Sequence, residues 1–228
     1  MNIHLIQNYY VNPKREKELL HCLEKNNANP YLTRSILLVE VYSEPIRLAL
    51  GHLDKATVMA TGRDRESYRH IFEVAAKKVP AGDLVILANL DIFFDDSLKY
   101  LERFTGWQNT VMALTRWNCQ PNGRSRPFRV DNSQDVWIWR TPLNSSGMEA
   151  DFCLGEPGCD NRIAFELARN YRVINPCKTI KCHHYHPFEC PDYTATAKVP
   201  PPYKTLPRIT LAQAEREARG GLWSRLTS

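Results

Sequence analysis

Short apolar runs separated by polar stretches of helical pattern organise this chain. Ile3 to Ile6 is the first run, and in the NYYVNPKREKELLHCLEKN that follows, Leu19, Leu20 and Leu23 recur at helical spacing, which predicts strand, loop and helix. Ser35 to Val41 and Ala56 to Ala60 read as two further strands. Tyr68 to Val79 places Tyr68, Ile71, Phe72, Ala75, Ala76 and Val79 on one helical face, and Pro80-Ala81-Gly82 stops it. Leu84 to Ala88 is the most hydrophobic short run and reads as a central strand buried on both faces. Beyond it, Ser97 to Phe104 reads as a short helix, Thr110 to Thr115 and Val136 to Trp139 as strands, and Asp160 to Asn170 as a helix with an Ile163, Ala164, Leu167, Ala168 stripe. Strands alternating with helices predict an α/β fold with a mainly parallel sheet covered on both faces.

Length sets the number of domains. With 228 residues, the chain can bury a full core but hardly two, so a single domain over 1–190 is expected, followed by a proline-rich extension over 191–228 that ends in a basic amphipathic helix or a frayed end. No internal repeat is visible. A hydrophobic fraction of 43% fits a globular protein, and no apolar run approaches the roughly 20 residues of a spanning helix. The opening MNIHLIQNYY has no basic leader or cleavage pattern, and seven cysteines is an odd count, so reduced thiols and a cytoplasmic location are expected. The net charge of +5 suits anionic substrates without amounting to a polybasic tail.

Chemistry is sought where the central strand ends. In open α/β sheets ligands bind beyond the carboxyl ends of strands, and VILANLDIFFDD places Asn89, Asp91, Asp95 and Asp96 there. A hard cation such as Mn²⁺ or Mg²⁺ needs only one or two carboxylates, with water and phosphate oxygens completing its shell. Asp95 and Asp96 also suit capping of the helix near Ser97, whereas Asp91 lies among apolar neighbours, where a carboxylate needs a partner.

Downstream, GCDNR followed by IAFELARNYRVIN opens a helix at Asp160, and KCHHYH, if a strand, groups Cys182, His184 and His186 on one face with His183 opposite. Arg63 and Arg65 suit phosphate, and the SQDVWIWR segment, with Gln134, Asp135 and Trp137 or Trp139, suits an acceptor pocket, although core packing of a tryptophan is an equal alternative. Cys177, Cys182, Cys190 and the histidines also compose a candidate zinc set, without the paired Cys-x-x-Cys spacing of a strong zinc signature.

The order of elements, with a hydrophobic strand ending in an Asp-x-Asp-like triplet, resembles the GT-A fold of nucleotide-sugar glycosyltransferases over roughly Ile3 to His186. The resemblance implies that Asp91 binds Mn²⁺ or Mg²⁺, with Asn89 standing where the family's first Asp contacts ribose or a metal-bound water. It further implies that Asp160 is the catalytic base of an inverting transfer, that His184 or His186 completes the metal shell, and that Gln7, Tyr9 and Glu40 lie near the nucleotide base. The implied partners are a nucleotide-sugar donor and a glycan or small-molecule acceptor. A nucleic-acid acceptor is also conceivable, given the three arginines in the loop from Asn122 to Arg129. Two other readings stay open: a nucleotidyltransferase built on the same sheet and carboxylate, and a zinc-bearing nucleic-acid-binding module.

Overall fold

A computed structural model describes residues 1–120, 122–186 and 197–226 of the protein. In chain order its elements are β1 (Ile3–Asn8), α1 (Glu16–Ala28), β2 (Arg34–Val39), α2 (Glu44–Leu50), β3 (Ala56–Ala60), α3 (Tyr68–Lys78), β4 (Leu84–Ala88) and β5 (Ile92–Phe94). After a 3-10 turn at Asp96–Leu101 come β6 (Thr110–Leu114), β7 (Trp117–Cys119), β8 (Ser125–Pro127), β9 (Val136–Arg140), α4 (Cys159–Ala168), β10 (Arg172–Ile174), β11 (Cys182–His184) and α5 (Leu211–Leu226).

Among the described residues, a seven-stranded sheet runs in the order β10-β6-β9-β4-β1-β2-β3. Only β9 runs antiparallel to its neighbours, between β4 and β6, and the remaining pairings are parallel. A mainly parallel sheet flanked by helices is therefore the observed architecture, as the alternating pattern predicts. A smaller sheet, β5-β11-β7-β8, stands at the carboxyl end of β4.

The strand pleat sends alternate side chains to two cores. Val85 and Leu87 of β4 join Ile6 and Ile36 beneath α3 and α4, where Tyr68, Ile71, Ile163 and Leu167 pack. Leu84, Ile86 and Ala88 face the other way, with Leu5, the smaller sheet's Ile92, Phe94 and Cys182, and Leu211 of α5. Burying both faces requires an apolar residue at every position, which is why LVILA shows no alternation. A third cluster seats α1 and α2 on β2 through Leu19, Leu23, Ile46 and Leu50. On α3 the buried stripe includes Val74, while Ala76 is exposed, one position off the sequence-based stripe.

The C-terminal segment packs back onto this body. Arg162 of α4 donates to the carbonyls of Pro200 and Pro201, Leu206 N donates to Asp131 O, and Val199 and Leu206 enter the first core. No helix among the described residues is long and apolar enough to cross a membrane.

Candidate functional site

The chain leaves β4, turns through Asn89-Leu90-Asp91 and re-enters as β5, which pairs antiparallel with β11 so that Ile92 lies opposite His184. Tyr185 N donates to Asp91 O at 3.0 Å and ties that turn to the end of β11. This register brings His184 Nε2 to 3.2 Å from Asp91 Oδ2. From the other side Arg15, at the start of α1, donates to the same oxygen at 2.7 Å. Burial alone would raise the Asp91 carboxyl, but the hydrogen bonds and charge of His184 and Arg15 outweigh it and hold the group below the usual carboxylate range. Among the described residues, Asp91 Oδ1 is buried and has no hydrogen-bond partner.

Arg15 also pairs with Glu18, one turn along α1, through Nε at 2.7 Å and through a closer Nη2 contact, and its Nη1 donates to the Tyr10 hydroxyl at 3.2 Å. Glu18 in turn meets His186 Nδ1 through Oε2 at 3.0 Å. His184 and His186 thus lie on the same side of the strand end, ring centroids 5.8 Å apart, but each meets a different carboxylate.

A second polar group borders the first. Gln7 donates to Asn89 O at 2.9 Å, and Asp135 Oδ1 accepts from Arg116 Nη1 at 2.9 Å and from Asn89 Nδ2 at 3.5 Å. The Arg116 guanidinium lies over the Phe128 ring, 4.4 Å from its centroid. Burial pushes the Asp135 carboxyl up, the charge of Asp91 adds to this, and Arg116 and His184 oppose it. Next in the chain lies Gln134, whose backbone amide donates to Asp160 Oδ2 at 3.2 Å. Asp160 sits in the first turn of α4, after Gly158 in the left-handed conformation, and its Oδ1 accepts from Asn161 N at 2.9 Å. Its carboxyl is raised, first by burial and also by the charge of Asp135, against the two backbone hydrogen bonds. Asp91, Asp135 and Asp160 therefore form a connected acidic tract along one edge of the sheet.

Several sequence-based assignments change. Gln7 is fully buried and Tyr9 nearly so, with Gln7 bracing Asn89, so neither side chain is open to a nucleotide base. Trp137 is 1% exposed and meets Tyr68 edge to face, so it belongs to the core and not to an acceptor surface, and Trp139 is likewise buried. His186 faces Glu18, and only His184 meets Asp91. Asp160 lies in the first turn of α4, and Gly158 holds the cap position. Asp95 does cap the 3-10 turn, accepting from Ser97 N at 2.9 Å while pairing with His183. Glu40, Arg63 and Arg65 are exposed beyond β2 and β3, and the charge of Arg65 reaches Tyr10. Cys182 is buried with its thiol on Thr115 O, Cys177 is buried in the same core, and Cys190 lies outside the described residues. Among the described residues no three His, Cys, Asp or Glu side chains converge as a metal-binding group, which leaves the zinc reading without a built site there.

Arg15, Glu18 and Arg116 went unread in the sequence. The only signal for the first two was an i, i+3 charge pair at a helix start, which is common on solvated helices.

No protein-family model matches the chain, and no curated protein matches it by sequence. Solved structures do match. A Staphylococcus aureus TarS fragment, residues 1–349, in complex with UDP-GlcNAc superposes with a TM-score of 0.59 at 14% identity, over 87% of this chain and 62% of that one. The mannosyltransferase PcManGT from Pyrobaculum calidifontis, in complex with GDP-Man and Mn²⁺, superposes with a TM-score of 0.52 at 12% identity, over 82% of this chain and 58% of that one. The chain thus spans about three-fifths of the length of these structures. At such identities the likeness fixes the fold, and the fold is that of GT-A glycosyltransferases.

Proposed function

We propose that this protein is a glycosyltransferase which moves a sugar from a nucleotide-diphosphate sugar to a hydroxyl acceptor, by a single displacement with inversion assisted by Mn²⁺ or Mg²⁺. One observation carries the reading: a largely buried carboxylate at the carboxyl end of the central strand, Asp91, keeps one oxygen without a partner among the described residues and has an imidazole, His184, on the other.

A carboxylate and an imidazole fit a divalent cation that draws its remaining ligands from water and diphosphate oxygens. When bound, such a cation neutralises charge developing on the departing diphosphate. The residues around it set position. Gln7 braces the turn that presents Asp91, and Asn89 stays within reach of a ribose hydroxyl, since an amide both donates and accepts. The exposed Glu40, Arg63 and Arg65 border the same edge of the sheet and suit the nucleoside and its phosphates.

Asp160 is assigned as the base that takes the acceptor hydroxyl's proton as the oxygen attacks the anomeric carbon. Two backbone amides orient it, and its raised affinity for protons suits a base that must receive one. Gln134 Oε1, Asp135 Oδ2 and Asn161 Oδ1, beside it in the chain or across from it, are buried acceptor atoms with no partner among the described residues.

The reading is tested by ligand-induced thermal stabilisation across a panel of nucleotide-sugars, with and without Mn²⁺. A ligand that binds only the folded state at 100 times its Kd adds about 2.7 kcal/mol of stability. At least one nucleotide-sugar raises the melting temperature in a Mn²⁺-dependent manner if the reading is right. A flat response across the panel removes it.

A further inference from the structure

We infer that Arg15 is a removable counter-cation for Asp91 and Glu18, which a divalent cation displaces in order to bind, with Glu18 joining Asp91 and His184 as a ligand. The inference rests on the metal reading of Asp91 and adds two residues from α1 to it.

Two carboxylate–imidazole pairs face one guanidinium. Asp91 with His184 comes from the β4–β5 turn and β11; Glu18 with His186 comes from α1 and the residues after β11. Arg15 donates to both carboxylates, and the Asp91, Arg15 and Glu18 side chains are 15%, 18% and 1% exposed. A divalent ion set between Asp91 Oδ2 and Glu18 Oε1 carries twice the charge of the guanidinium that now bridges these two oxygens, and carboxylate oxygens are the ligands it prefers. Asp91 Oδ1, unpartnered among the described residues, offers a further oxygen beside them.

With the guanidinium between them, no three ligand side chains among the described residues gather closely enough to hold a metal. Its removal frees Asp91 Oδ2 and Glu18 Oε1 together, and Glu18 Oε1 is the oxygen that accepts from Arg15. The Arg15 side chain stands at the N-terminal boundary of α1 with non-helical backbone, so it can leave without unwinding the helix. A donor diphosphate then offers the released guanidinium another anion, which couples metal binding to nucleotide binding.

The test titrates Mn²⁺ alone into the full chain, following the free ion by electron paramagnetic resonance, for wild type, Arg15→Gln, Arg15→Lys and the double variant Arg15→Gln/Glu18→Gln. Arg15→Gln is expected to bind one Mn²⁺ roughly 10- to 100-fold tighter than wild type, the range of typical coupling between sites. Arg15→Lys falls between, and the added Glu18→Gln removes the gain. Equal affinity of wild type and Arg15→Gln overturns the displacement while leaving the metal reading of Asp91 intact. Absence of Mn²⁺ binding by either protein, with or without uridine or guanosine diphosphate, overturns both.

Should Arg15→Gln fail to fold, wild type alone decides. The Nε–H resonance of Arg15, assigned by its loss in Arg15→Lys, is protected by the Glu18 hydrogen bond and should lose that protection when Mg²⁺ and uridine or guanosine diphosphate are added. Retained protection at saturating ligand overturns the inference.

Discussion

The backbone amide of Gln134 donates to Asp160 Oδ2 at 3.2 Å, and among the described residues this carboxylate is bonded to amides and to no cation. It differs in this from Asp91 and Asp135, each of which holds an arginine. Against Asp91, which its cationic partners hold low, a carboxylate free of such partners keeps a greater affinity for protons, as the proposed general base requires.

A pH dependence follows. The Asp160 carboxyl is raised by burial and by Asp135, and a base in this position must be ionised to act, so under the proposed role kcat/KM should rise with pH through a value above the ordinary Asp value of about 3.9. Asp160→Asn should lower transfer by roughly 10²- to 10⁴-fold and abolish that acid limb while leaving the melting temperature near wild type. A variant that retains transfer with an unchanged pH profile removes Asp160 from the mechanism.

Far from the site, Asp83 accepts from Asn2 N at 2.9 Å, from Asn2 Nδ2 at 3.1 Å and from His4 Nε2 at 3.1 Å, fixing the start of β1 beside β4. Burial would raise this carboxyl, but these hydrogen bonds outweigh it and hold it low. Because the folded value lies below the unfolded one, the stability it contributes is present above the unfolded pKa of about 3.9 and is lost as pH falls through the folded value. Asp83→Asn should therefore cost about 1–3 kcal/mol at neutral pH, the range for hydrogen bonds to a charged group, and the difference should shrink in acid. Urea denaturation at neutral and acidic pH checks this; a penalty that persists undiminished in acid contradicts it.

Trp137 tests the correction at the acceptor side. Its ring meets Tyr68 with centroids 5.2 Å apart in the core beneath α3. Trp137→Ala should cost about 3–5 kcal/mol by leaving a cavity, whereas Trp137→Phe keeps an aromatic there and costs less. The acceptor KM of the folded Phe variant should match wild type, and a selective rise in that KM would return Trp137 to the acceptor surface.

The strands were the readable part of the chain. LVILA is apolar at every position because both of its faces are buried, and the periodic stripes of α3 and α4 lie over that sheet. α2, at seven residues, is too short for a periodicity to stand out, and β5, β7, β8 and β11 are three residues each. Asp91 and Asp160 stand out as candidates in the sequence because one follows a strongly patterned strand and the other opens a patterned helix. Arg15 was not, since only the packing of α1 against β5 brings position 15 to position 91. Trp137 misled for a related reason: a tryptophan beside polar Gln134 and Asp135 suggests a sugar platform, and only the pleat of β9 shows that it turns inward.

Product analysis with Asp91 varied is the most direct measurement. Incubated with a nucleotide-sugar, Mn²⁺ and a hydroxyl acceptor, wild type should release nucleoside diphosphate in step with glycosylated product, and Asp91→Ala, verified as folded by circular dichroism, should release neither. Release of pyrophosphate, or undiminished turnover by folded Asp91→Ala, would contradict the account.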